Sequence, residues 1–92
     1  MNWYIKNEDR IFDLTDMNNF GFIYIIKLKD DKFYVGKKQI KNFTYKNINK
    51  YNSSNEYIKK HIDDIISKEI IEFTTEILLI EKFTTLFKMI YG

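Results

Sequence analysis

Apolar residues concentrate in the run Phe22-Ile23-Tyr24-Ile25-Ile26-Lys27-Leu28, opened by Gly21, whose β-branched and aromatic content predicts a strand. Lys29-Asp30-Asp31-Lys32 interrupts it with residues that tolerate tight-turn dihedrals, and Phe33-Tyr34-Val35-Gly36 reads as the return strand of a β-hairpin. From Lys37 to Asn52 the chain is polar and asparagine-rich, with Ile40, Phe43, Tyr45, Ile48 and Tyr51 as isolated apolar positions. That stretch fits either an irregular segment or a short helix. Ser53-Ser54-Asn55-Glu56 matches a capping box, with Ser53 as cap. Tyr57, His61, Ile62, Ile65 and Ile66 follow at helical spacing and predict a helix over 54–67. The span from Ile70 to Ile80 is dense in Ile, Leu, Phe and Thr and predicts a third strand. Lys82 to Tyr91 carries Phe83, Leu86, Phe87 and Ile90 on one helical face and predicts a closing helix. The first 20 residues have weak periodicity; Trp3, Tyr4, Ile5, Ile11, Phe12 and Leu14 suit a short strand or a packed arm.

This order predicts an α+β domain with a small three-stranded antiparallel sheet, hairpin plus third strand, flanked by helices. Residues 1–20 form an N-terminal arm, and residues 21–92 form one globular unit.

The chain has 92 residues, enough for one modest core, and 45% of them are hydrophobic. It has no proline and is crowded with Ile, Lys, Asn, Tyr and Phe, the bias of an AT-rich coding genome such as that of a phage or an AT-rich bacterium. The absence of cysteine excludes disulfides and thiolate metal sites, and a single histidine, His61, excludes a His-rich zinc site. No apolar run approaches the roughly 20 residues that cross a bilayer, and Met1 to Asp16 has no signal-peptide core. The expectation is therefore a cytoplasmic protein without a membrane partner, in the host cell's cytoplasm if phage-encoded.

The net charge of +2 conceals an asymmetry. Residues 21–50 carry eight lysines against Asp30 and Asp31, a balance of +6, while the segments on either side are each −2. A basic middle third suits phosphate binding, and it equally suits a solvated lysine face. The aromatics Phe43, Tyr45 and Tyr51 alternate with Lys41, Lys46 and Lys50, a pattern that fits base stacking as well as ordinary packing. His61 reads as a half-buried structural histidine, and Trp3 as the anchor of the N-terminal arm.

Gly21-Phe22-Ile23-Tyr24, followed by Tyr34-Val35-Gly36-Lys37-Lys38, resembles the paired motif of the GIY-YIG nucleases, in the small form that phages carry. Tyr51-Asn52-Ser53-Ser54 is similar to the aromatic-glycine-serine-serine step of such members, with Asn52 where glycine is usual. Phe73-Thr74-Thr75-Glu76-Ile77-Leu78 is similar to their third strand. The resemblance covers about residues 20–80 and includes homing-endonuclease-like proteins. It implies cleavage of a DNA phosphodiester with one divalent metal, usually Mg2+. It assigns Tyr24 to the attacking water, as general base or positioner, and Tyr34 to orienting the same centre. Lys37 would lower a tyrosine pKa or contact a phosphate.

The family also has an arginine on the helix after the second motif, and here the only arginine is Arg10, upstream of both. Lys38, Lys41 and Lys46 are the candidate DNA-binding substitutes, as point charges without the guanidinium fork. The family's metal-binding glutamate would fall near Tyr91 or beyond Gly92, whereas the last acid is Glu81, so the metal ligand is unassigned. Two explanations stay open, a truncated piece of a longer nuclease or a decayed site.

Three functions follow. One is a DNA-binding nuclease relative that cleaves poorly or not at all, and needs no metal. The second is an active Mg2+-dependent endonuclease using Glu76 or Glu81 for metal. The third is a protein-interaction or regulatory module whose old site a protein partner covers. A homodimer is compatible with each. A shared site also demands that Tyr24 and Tyr34 lie on one face of the hairpin. Side chains alternate along a strand, so this requires an odd loop or a bulge. A loop of Asp30-Asp31-Lys32, pairing Tyr24 with Lys38, is one such solution.

Overall fold

Alternation of side chains lets a strand give one face to a core, and a strand of only two residues does so here through Ile5. The computed structural model describes residues 1–76. Its strands are β1 (Tyr4–Ile5), β2 (Arg10–Ile11), β3 (Gly21–Leu28), β4 (Phe33–Gln39) and β5 (Ile65–Thr74); its helices are α1 (Tyr45–Lys50) and α2 (Glu56–Lys60). The strands form a single sheet in the order β2-β1-β5-β3-β4. β3 pairs antiparallel with both β4 and β5, β1 runs parallel to β5, and β2 pairs antiparallel with β1.

The fold is α+β, as the order of elements suggests, but the sheet is five-stranded and mixed rather than three-stranded and antiparallel. Residues 1–20 supply two short strands of the same sheet, β1 and β2. β1 covers the edge that β5 would otherwise expose, and Trp3, Ile5 and Phe12 enter the core from it. Trp3 is wholly buried, donates its indole N–H to the Ile48 carbonyl at 2.8 Å, and meets Phe22 and Tyr24 edge-on. This ties the N-terminus to α1 across the sheet. Phe12 stacks on Tyr45, whose hydroxyl donates to the Phe12 carbonyl.

The expected helix over 54–67 is a short α2, then a 3-10 turn at Ile62–Asp64, with β5 already begun at Ile65. The isoleucines at 62, 65 and 66 satisfy a helical period, but Ile65 pairs with Leu28, and the Lys29 N–H donates to the Asp64 carbonyl. Long-range pairing with an existing sheet edge outweighs the weak helical preference of β-branched residues. The cap of α2 is Asn55, not Ser53: its Oδ1 accepts from the Tyr57 and Ile58 N–H groups. The third strand, expected over 70–80, instead runs from Ile65 to Thr74, and Glu76 is already helical. The expected strand beyond Glu76, the closing helix and Glu81 lie outside the described residues.

One face of the sheet carries Phe22, Tyr24, Ile26, Leu28 and Ile70, and it packs against the N-terminal arm, α1 and α2 through Ile48 and Ile58. The other face carries Ile23 and Val35, with Phe20 and Ile25 against them. No helix among the described residues is long and apolar enough to cross a membrane.

Candidate nucleic-acid interface

The hairpin determines which motif residues meet. Its loop is Lys29-Asp30-Asp31, closed by a hydrogen bond from the Leu28 N–H to the Lys32 carbonyl at 2.8 Å. Asp30 and Asp31 both take left-handed dihedrals (φ 66° and 59°), the conformation for which a short hairpin loop ordinarily recruits glycine. The loop is odd, as a shared face requires, but begins one residue earlier than Asp30-Asp31-Lys32. Tyr24 consequently faces Gly36 instead of Lys38, Ile26 faces Tyr34, and Phe22 faces Lys38. Tyr24 and Tyr34 therefore share the core face, with ring centroids 6.3 Å apart.

Gly36 is where the two motifs touch. A Cβ added there would lie 2.4 Å from both Cζ and Oη of Tyr24, so the phenol lies directly over the glycine. The Tyr24 hydroxyl donates to Ser53 Oγ at 3.0 Å, and Ser53 Oγ also accepts from the Asn55 N–H at 3.1 Å. Ser53 itself has φ 93°, a left-handed value that is strained for a residue with a side chain. The strain coincides with the hydroxyl that accepts from Tyr24. The capping-box pattern pointed to Ser53 as a helix cap; the serine-rich step after Tyr51 was the available sign of its contact with the motif.

Tyr24 is 1% exposed. Burial is the largest influence on its pKa and lifts it well above the usual phenol value; Tyr51 and Tyr34 push the same way, and the Ser53 contact opposes them. Tyr24 is a neutral hydrogen-bond donor at the bottom of an aromatic layer. Tyr34 is half-buried.

The lysines separate. Lys37 pairs with Ile23 and belongs to the opposite face from the tyrosines, by the same alternation that brings Tyr24 and Tyr34 together. It is therefore not positioned to lower the pKa of Tyr24. Lys38 projects on the tyrosine side, where its ammonium lies 4.2 Å from the Phe43 ring centroid and 4.5 Å from that of Tyr51. Such cation–π contacts hold a charge in position without neutralising it. A groove of about 400 Å³ at this end of the sheet is lined by Phe20, Lys37, Lys38, Gln39, Tyr51, Ser54 and Glu76. Lys41 lies in a separate depression beside Asn42 and Phe43, and Lys46 in another with Lys50 and Asn2. Of the three candidate substitutes for arginine, Lys38 alone lies at the motif residues.

Arg10 is committed elsewhere. Its guanidinium makes two 2.8 Å hydrogen bonds to the Asp16 carboxylate, with longer contacts to Glu8 and Asp13. Asp16 in turn accepts from the Asp13 N–H, and Arg10 holds its carboxyl below the ordinary range. His61 is structural: its ring stacks on Tyr57 at 4.1 Å, and Nδ1 donates to the Tyr57 carbonyl.

Among the described residues, no group of three or more His, Asp or Glu side chains could hold a metal. Glu76 is the one carboxylate lining the groove, and two lysines line it as well. Magnesium requires near-octahedral oxygen coordination, usually from one or two carboxylates together with waters and phosphate. A single carboxylate beside two ammonium groups does not meet that requirement, so the described residues do not by themselves fit the ion.

No protein-family model matches the chain, and no curated protein or solved structure matches it.

Proposed function

We propose that this chain is a GIY-YIG-like, phage-type DNA-binding domain that grips a backbone phosphate with Lys38 and cleaves slowly or not at all. The observation that carries the reading is the Lys38 ammonium, held between Phe43 and Tyr51 on the face shared by Tyr24 and Tyr34. A lysine fixed in this way is a phosphate-binding point charge beside the motif tyrosines, and Lys37 adds a second cation to the same groove. Lys41 and Lys46, both exposed, extend the positive potential beyond it. Two features argue against fast cleavage. Tyr24 is buried in neutral form, and the only arginine is bound to Asp16. Loss of one preorganised electrostatic group typically costs on the order of 10²–10³ in rate.

The test is duplex binding by fluorescence anisotropy across a salt series, paired with plasmid nicking in Mg2+ or Mn2+. Weak binding that falls steeply with salt is expected. Lys38→Ala neutralises one phosphate fewer, so its log–log salt slope should be shallower by about 0.9. No nicking above background is expected with either metal. A folded protein that binds neither duplex nor single strand at low salt overturns the DNA reading and favours the protein-partner alternative. Metal-dependent nicking that Tyr24→Phe abolishes overturns the impaired-site reading.

A further inference from the structure

We infer that the cleft between the hairpin turn and α2 takes an unstacked nucleobase, which makes single-stranded or locally opened DNA the preferred ligand. The inference rests on the proposed DNA binding and deepens it. The cleft has a volume of about 400 Å³ and borders Tyr34, the second motif tyrosine. Leu28 and Ile58, both buried, contribute its apolar lining, and Tyr34 and Tyr57 its aromatic one.

Tyr57 is 44% exposed, yet its ring is held in position. His61 stacks on it at an interplanar angle of 19°, and Lys32 Nζ donates to its hydroxyl at 3.0 Å. An exposed aromatic ring that is already oriented loses little conformational entropy when a second flat ring packs against it. Every base has a π face, and each base–aromatic stack contributes substantially to single-strand binding.

The polar groups suit a base better than an apolar side chain. Asn55 Oδ1 is used twice, by the Tyr57 and Ile58 N–H groups, so the amide Nδ2 is turned away from the helix end. Its two N–H donors have no partner among the described residues and can meet the ring-nitrogen or carbonyl acceptors on a base edge. Asp31, on the hairpin side of the cleft, can accept from an exocyclic amine, and Lys32 adds a cation for the flanking phosphate. The neighbouring Asp30 and Asp64 offset that positive charge. Stacking, which salt screens little, therefore dominates at this cleft, whereas counterion release dominates at Lys38.

The test uses a single-stranded oligonucleotide carrying 2-aminopurine, whose fluorescence is quenched on stacking, and the duplex of the same sequence. Single strand should bind more tightly than duplex, with quenching. Tyr57→Ala should weaken single-strand binding about tenfold while duplex affinity is unchanged, and Tyr57→Phe should retain it. If Tyr57→Ala fails to fold by circular dichroism, Tyr57→Leu, which keeps bulk but no π face, replaces it under the same criterion. Unchanged single-strand affinity in the folded variant, or binding without quenching, overturns this inference while leaving the phosphate reading intact. Failure of the wild-type chain to bind either form overturns both.

Discussion

Replacing Gly36 with alanine tests the central contact of the hairpin. The backbone at Gly36 is not in the left-handed region, so alanine is conformationally allowed. By restricting the unfolded chain it should stabilise by about 0.4–1 kcal/mol. Against this, the new methyl would sit 2.4 Å from Tyr24 Cζ and Oη, well inside van der Waals contact. The ring has little room to swing, since Trp3, Phe22, Tyr34 and Tyr51 surround it at centroid distances of 5.1, 5.9, 6.3 and 6.2 Å. Overpacking of this kind costs roughly 1–3 kcal/mol, and displacing the hydroxyl from Ser53 costs about 1 kcal/mol more. The net expectation is a destabilisation of about 2–3 kcal/mol, read as a lower urea midpoint at unchanged slope. In a Tyr24→Leu background the obstructing ring is gone, so the same substitution should become neutral or slightly stabilising. The double-mutant cycle then gives a coupling energy of about 2 kcal/mol or more. A neutral Gly36→Ala in the wild-type chain, or an equal cost in both backgrounds, would refute the claim that Tyr24 is what excludes a side chain at position 36.

Two further expectations concern charge. Arg10→Ala should lower the denaturation midpoint without changing DNA affinity. It should also flatten the acid limb of the stability profile, because the lowered Asp16 pKa contributes stability that is present above the unfolded carboxyl value and lost as pH falls through the folded one. Lys68 is 2% exposed, and burial lowers its pKa to about 8, so between pH 8 and its unfolded value near 10.4 the unfolded chain binds more protons and stability should rise with pH. The rise has an upper limit of about 3 kcal/mol and should reverse above pH ~10, where the unfolded chain releases a tyrosine proton that folded Tyr24 retains; urea midpoints at pH 7, 9.5 and 11 check this, and Lys68→Met should abolish the rise.

The hairpin was legible because its signals are local: an unbroken β-branched run, an aspartate turn and a second aromatic run. The odd loop was legible because the resemblance requires Tyr24 and Tyr34 on one face, and strand alternation then demands an odd loop or a bulge. The loop boundary was less accessible, because a one-residue shift between Asp30-Asp31-Lys32 and Lys29-Asp30-Asp31 changes the partners without changing the faces. β1 and β2 are two residues each, and β1, to which β2 pairs, joins the sheet only through β5, far along the chain, so periodicity could not reveal them. Ile62, Ile65 and Ile66 fit a helical period as well as a strand edge, and tertiary pairing decided between them. In the site, motif resemblance brought Lys37 and Lys38 in together; the alternation of β4 separates them, leaving Lys38 with the tyrosines and Lys37 across the sheet. Lys68 gave no sequence signal at all. Its Nζ is buried against the Trp3 ring and donates to the Met1 and Asn49 carbonyls, partners that exist only once the N-terminal arm has docked.

These placements bear directly on what the site can do. An exposed phenol with a pKa near 10 already requires about 4 kcal/mol to be ionised at pH 7. Tyr24 requires more, because its anion would form under Trp3, Phe22 and Tyr51 with neither motif lysine beside it: Lys37 is on the far face and Lys38 is held at Phe43 and Tyr51. As a neutral donor to Ser53, by contrast, Tyr24 needs no compensating charge and fixes both motif strands and the serine loop in one arrangement. The same arrangement sets Tyr51, and with it one of the two rings that hold Lys38. If Lys38 binds phosphate as proposed, the motif tyrosine would act on that contact through packing rather than through proton transfer. That is why removing the Lys38 charge should weaken DNA binding sooner than removing the Tyr24 hydroxyl.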